Sequence, residues 1–173
     1  MSETAKHMEI ARPYTEGSGI DIGSGGNPVV PWAIQIDLPL HEYVAYNPKR
    51  PDGHIHFRGD CRDLPFQDGV LDWVHSSHVL EDFMDWSPVL KEWDRVLKVG
   101  GFLMVAVPDR ERFRGAVARG QGDNLGHKHE SRVGELTSYL SRTYHVFLDD
   151  FVSDNPEEYS ILFVGRKRAL WPS

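Results

Sequence analysis

The stretch that most restricts this chain is Asp21-Ile22-Gly23-Ser24-Gly25-Gly26-Asn27-Pro28, followed closely by Pro31. Its glycines let the backbone turn sharply and let a ligand approach closely. Asn27 to Ala33 carries both Pro28 and Pro31, so no long helix can follow the turn. Gly19-Ile20-Asp21-Ile22 reads as a brief strand, and Trp32-Ala33-Ile34-Gln35-Ile36-Asp37 as a second.

Two further short strands are expected, Ile55 to Arg58 and Leu71 to Val74, the latter after an Asp68-Gly69 turn. The period then changes. Ser87 reads as an N-cap with Pro88 at the first helical position. Val89, Leu90, Trp93, Val96 and Leu97 share one face, and Gly100-Gly101 ends the helix. Phe102 to Val107 is a continuous apolar run suited to a strand buried on both faces. Residues 108–130 hold four glycines and many charges, the pattern of a long loop or lid. Val133 to Leu140 reads as a modest helix. Tyr144 to Leu148 and Tyr159 to Val164 have no helical pattern between them and are expected to pair antiparallel. Strands alternating with helices imply an α/β fold with a mostly parallel, doubly wound sheet and a reversed last strand. Residues 1–16 are polar, contain Pro13, and read as an irregular arm. Residues 17–168 form one domain and 169–173 a tail.

Composition narrows the function classes. The single cysteine, Cys61, allows no intrachain disulfide and points to a reducing, cytoplasmic setting. A net charge of −7 argues against non-specific nucleic-acid binding. No apolar run approaches the roughly 20 residues of a membrane span. The charge is uneven: Asp60 to Asp94 holds nine acids against two bases, whereas Asp109 to Arg132 holds six bases against four acids.

In doubly wound sheets ligands bind beyond the carboxyl ends of the strands. Asp37 ends the second strand, 16 residues after Asp21, where an acid can accept from both hydroxyls of an adenosine ribose. A dinucleotide site would need G-x-G-x-x-G opening a helix at the pyrophosphate. Here the third glycine position holds Pro28, so an adenosine ligand without phosphate, such as S-adenosylmethionine, fits better.

At this point the chain resembles the class I, Rossmann-like, seven-stranded S-adenosylmethionine-dependent methyltransferases, over nearly its whole length. The loop from Asp21 to Gly26 looks like the family's first motif, and Asp37 matches its ribose-binding acid. Gly59-Asp60-Cys61-Arg62-Asp63-Leu64-Pro65-Phe66 resembles the adenine-reading segment. Residues 71–81 resemble the fourth strand with its turn, and residues 92–101 the helix and turn before the fifth strand. The resemblance implies a three-layer α/β/α sandwich that binds S-adenosyl-L-methionine and releases S-adenosyl-L-homocysteine. It places Gly23, Ser24 and Gly25 about the methionine part, Asp37 on the ribose, and Asp60 on the adenine amino group, and counts Asp21 among the cofactor-binding residues. The backbone of Cys61 or Arg62 would meet the ring, and Ser76, Ser77 and His78 would face the transferred methyl.

His78 has a near-neutral reference pKa and is a candidate general base; the other uses for a histidine here are to cap the turn or to orient the cofactor. Where the family often has a second histidine, this chain has Asp82. His127 is a second candidate base or acceptor-binding group. His127 with His129, and His54 with His56, stand two apart, but no third ligand stands at zinc spacing and no metal is expected. The expected acceptor is a small molecule or sugar, with an anionic group to suit the basic loop. Two other readings stay open: a non-catalytic S-adenosylmethionine-binding module assisting a partner enzyme, and a nicotinamide-dependent dehydrogenase.

Overall fold

The computed structural model describes residues 3–40, 42, 54–120, 124, 126–155 and 157–169. Asp123 of the basic segment and tail residues 170–173 lie outside them. Seven strands form one sheet: β1 (Gly19–Ile22), β2 (Ile34–Asp37), β3 (Phe57–Arg58), β4 (Leu71–Ser77), β5 (Leu97–Pro108), β6 (Tyr144–Phe151) and β7 (Ser160–Lys167). Their order is β3-β2-β1-β4-β5-β7-β6. β1 to β5 are parallel, and β7 runs antiparallel to both β5 and β6. The sheet therefore has the expected reversed strand, and the chain switches direction of winding between β1 and β4. Ligands bind outside the carboxyl ends of strands at such a point.

Each face of the sheet is covered. On one side Ile20, Ile22, Val74, Leu103 and Val105 pack under α2 (Ser87–Val96) and α4 (Glu135–Leu140). Val89, Leu90, Trp93 and Val96 supply the buried stripe of α2, matching the expected helical period. Trp93 is fully buried and its Nε1 donates to the Cys61 carbonyl at 3.1 Å. On the other side Val29, Val30, Ala33, Trp73, Met104 and Leu162 form a second core with Ala11 of α1 (Glu3–Ala11). No helix joins β1 to β2, as the two prolines require.

Several local expectations need correction. The arm read as irregular contains α1, which buries Thr4, His7 and Ala11. Two of those three are polar, so no apolar stripe marked the helix. The lid read as a loop contains α3 (Arg110–Ala118). Asp109 caps it, its Oδ1 accepting from the Arg112 amide at 3.0 Å. Only Ala116 of α3 is buried, so this helix too lacks the periodic signal. It is held instead by Arg112, whose guanidinium lies 3.3 Å from the Phe151 ring centroid and donates to the Ser153 and Glu158 carbonyls. Ser87 is the first helical residue of α2 rather than its cap; Trp86 holds that position and the Asp85 carboxylate accepts from the Ser87 amide. Gly100-Gly101 lies inside β5, which starts at Leu97 directly after α2. α4 starts at Glu135.

Trp93→Ala should lower stability by about 3–5 kcal/mol, because it opens a large cavity and strands the Cys61 carbonyl. Urea unfolding followed by circular dichroism measures this.

Candidate functional site

The first crossover makes one wall. Gly23, Gly25 and Gly26 have φ of 74°, 58° and 79°, in the left-handed region. A Cβ on Gly23 would stand 2.1 Å from Val79 Cγ2, so only glycine fits there. The Gly23 amide donates to the Ile36 carbonyl at 2.8 Å, and Ser24 Oγ donates to Gln35 Oε1 at 2.9 Å. Asp37 closes the loop from the second strand: its Oδ2 accepts from the Gly25 amide at 3.0 Å and its Oδ1 from the Leu38 amide at 2.8 Å. Burial pushes the Asp37 pKa up, and the two amide bonds counter it. Each carboxylate oxygen can accept a further bond, so Asp37 keeps capacity for a diol.

Asp21 stands apart from this set. It is fully buried, its Oδ1 2.7 Å from His75 Nδ1 and its Oδ2 accepting from the Val29 amide at 2.6 Å. Its carboxylate is thus spent inside the protein, and it shapes the loop from behind rather than lining it as the sequence suggested.

The second wall is the end of β4. Ser76 and Ser77 are buried, and neither Oγ has a hydrogen-bond partner. Buried hydroxyls without partners are uncommon, and the β1–β4 pairing sets Ser76 opposite Ile22, where the glycine loop begins. A glycine loop a side chain would fill, a strand-end carboxylate and two unanswered hydroxyls suit a polar nucleoside-type cofactor.

Asp60 and Cys61 stand beyond β3. Asp60 is half-exposed and makes an Asx turn to the Arg62 amide at 2.8 Å, with the Arg62 guanidinium bonded to both its oxygens. The Arg62 guanidinium holds the Asp60 pKa below the ordinary range. Cys61 is buried in the core, which pushes its thiol up to about 12 and makes it inert.

Past Ser77 the chain turns through His78, whose φ of 55° is unusual for a residue with a side chain. His78 Nδ1 lies 3.3 Å from Glu81 Oε1, and His127 Nε2 lies 3.6 Å from the same oxygen. The fold thus brings together the two histidines singled out in the sequence, around a carboxylate that was not. Glu81 is fully buried and neither carboxylate oxygen has a close hydrogen-bond donor. Its carbonyl accepts from the Lys128 and His129 amides at 2.8 and 2.9 Å, which fastens the loop over this point. Burial draws the His78 pKa down, but the Glu81 carboxylate facing its ring, through hydrogen-bonding and charge, outweighs it with help from Glu3, and the net shift is upward. His78 Nε2 is 3.1 Å from Ser160 Oγ and 3.5 Å from Glu3 Oε2. The only sequence signal for Glu81 was its i, i+3 spacing from His78; Glu3 and Ser160 had none.

The remaining histidines serve elsewhere. His129 lies 2.7 Å from Glu135 and against Trp86, and His56 Nδ1 accepts from the Gln35 amide. Among the described residues no group of three or more His, Cys, Asp or Glu is placed to hold a metal ion. The basic segment is also largely committed. Arg110 and Arg114 pair with Glu130, Arg119 with Glu157, and Arg112 is held as described above.

Fold and loop together define a doubly wound α/β domain with a glycine turn at the β1–β4 switch point. Residues 20–105 match the methyltransferase domain family. An uncharacterised protein of Methanocaldococcus jannaschii is 32% identical over 108 residues, 61% of this chain and 52% of that protein. A Mycobacterium tuberculosis protein named a probable S-adenosylmethionine-dependent methyltransferase is 34% identical over 83 residues, 48% of this chain and 30% of that protein. The chain spans about half the length, or less, of these curated relatives. The crystal structure of an S-adenosylmethionine-dependent methyltransferase from Thermotoga maritima shares the fold, with a TM-score of 0.69 at 21% identity over 95% of this chain and 89% of that one. Through residues 20–105 the chain belongs to the methyltransferase domain family, of the class I type whose cofactor is S-adenosyl-L-methionine.

Gly23→Ala should weaken S-adenosyl-L-homocysteine binding about tenfold or more, through the clash with Val79 and the strained φ. Isothermal titration measures it.

Proposed function

We propose that this chain transfers the methyl group of S-adenosyl-L-methionine to a hydroxyl of a small-molecule or sugar-type acceptor. The observation that carries this reading is the histidine–carboxylate cluster of His78, Glu81 and His127 immediately beyond β4. An amine with a free lone pair, or a carboxylate, needs no strong base; a hydroxyl does. The upward shift of His78 gives the stronger base that a weakly acidic hydroxyl calls for.

In this reading Gly23, Ser24 and Gly25 border the methionine part, Asp37 receives the ribose hydroxyls, and Asp60 with the Cys61 backbone meets the adenine. Ser76, paired with Ile22 at the start of the glycine loop, borders this space with an unanswered hydroxyl. When bound, the cofactor supplies a sulfonium methyl that a nucleophile displaces in line. His78 takes the acceptor proton, Glu81 stabilises the imidazolium that results, and His127 orients the acceptor from the fastened loop. Positioning and exclusion of water do the rest. The anionic acceptor that the basic loop suggested is not carried into this reading, because Arg112 and Arg114 are occupied by the protein itself.

The test is transfer of labelled methyl to a panel of hydroxylated small molecules and sugars. His78→Ala should cut turnover by about 10²–10⁴-fold while S-adenosylhomocysteine affinity stays within about threefold. An unchanged rate would remove His78 from the reaction. For the wild type, kcat/KM should rise with pH and level off above the raised His78 pKa, since only the neutral imidazole accepts a proton. Glu81→Gln should move that inflection down relative to the wild type, because burial is then opposed by Glu3 alone.

A further inference from the structure

A buried chain of polar groups crosses the molecule behind the cofactor loop. His7 of α1 lies with its Nε2 3.0 Å from His75 Nε2 on β4. His75 Nδ1 lies 2.7 Å from Asp21 Oδ1 on β1, and Asp21 Oδ2 accepts from the Val29 amide at 2.6 Å. All three side chains are fully buried. The register places Asp21 directly opposite His75, so both point to the face that α1 covers.

With both rings neutral, the hydrogen-bond pattern has one consistent assignment. The Asp21 carboxylate accepts, so His75 carries its proton on Nδ1. His75 Nε2 is then a lone pair and needs a donor, which His7 supplies from its own Nε2–H. Burial, with the neighbouring His75, His78 and Lys6, pushes the His7 pKa down to about 2, so His7 stays neutral. Remove the His7 donor and a buried acceptor is left unanswered on the residue that holds Asp21.

We propose that His7 is a positioning residue for the cofactor site. Acting through His75 and Asp21, it fixes the loop from Gly23 to Val29 in its binding shape and makes the N-terminal helix part of the cofactor site. The crossover has no helix of its own to stiffen it, and the Asp21 bond to Val29 anchors its far side. The cofactor half of this inference rests on the reading under Proposed function; the coupling of α1 to the loop does not.

Two measurements on the full chain decide it: hydrogen–deuterium exchange of the 23–33 segment without ligand, and titration with S-adenosyl-L-homocysteine. His7→Phe keeps the ring volume and removes the donor. It should speed exchange of this segment while the β4–β5 core stays protected, and weaken S-adenosylhomocysteine binding by about tenfold. His7→Gln places an amide donor near the position of Nε2 and should restore both to within about threefold of wild type. Unchanged loop exchange in His7→Phe overturns the proposal. So does a loss spread evenly over the whole sheet that His7→Gln fails to rescue. If the wild-type chain does not bind S-adenosylhomocysteine, the functional reading fails and the positioning role at the cofactor falls with it, while the exchange data still decide whether α1 controls the loop.

Discussion

The glycine-loop side of this molecule depends on one buried carboxylate. Asp21 sits at the end of β1 with no access to solvent, and a buried charge is tolerated only where hydrogen bonds answer it. The Val29 amide answers one oxygen and His75 the other. The first bond draws the proline-containing crossover back onto the sheet, and the second ties it to the neighbouring strand. A domain with a helix between β1 and β2 would stiffen the glycine turn by that helix. Here α1 and the buried pair Val29 and Val30 cover the same sheet face.

The turn after β4 is organised by a second buried carboxylate with a different arrangement. Glu81 leaves Oε1 to two histidines at somewhat longer range, one from that turn and one from the loop after α3. Its main-chain carbonyl, rather than its side chain, fastens that loop. Loop position and histidine basicity are thereby set by one residue, through different atoms.

Much of this was legible because it is local. The Asp21–Pro28 loop and Asp37 follow from glycine and proline geometry and strand-end position, and the α2 stripe of Val89, Leu90, Trp93 and Val96 from helical period. The helices α1 and α3 were not legible, because their buried positions are polar or few. α1 is held by His7 and the Lys6–Glu158 ion pair, and α3 by Arg112 on Phe151. Such bonds leave no periodic trace in a sequence. The basic segment shows the same limit from the other direction. Its arginines read as a surface for an anion until the fold supplied Glu130, Glu157 and the carbonyls near residue 153 as partners.

By itself the sequence determined the succession of strands along the chain, the shape the glycine loop had to take, and the kind of ligand that loop excludes. These are matters of backbone dihedral and spacing, settled within a few residues. Only the tertiary structure decided what each polar side chain faces. His7 and His75 are 68 residues apart, and His78 and Ser160 are 82 apart. They meet because β1, β4, β5 and β7 lie side by side, and long-range register rather than local propensity sets which buried donor answers which acceptor.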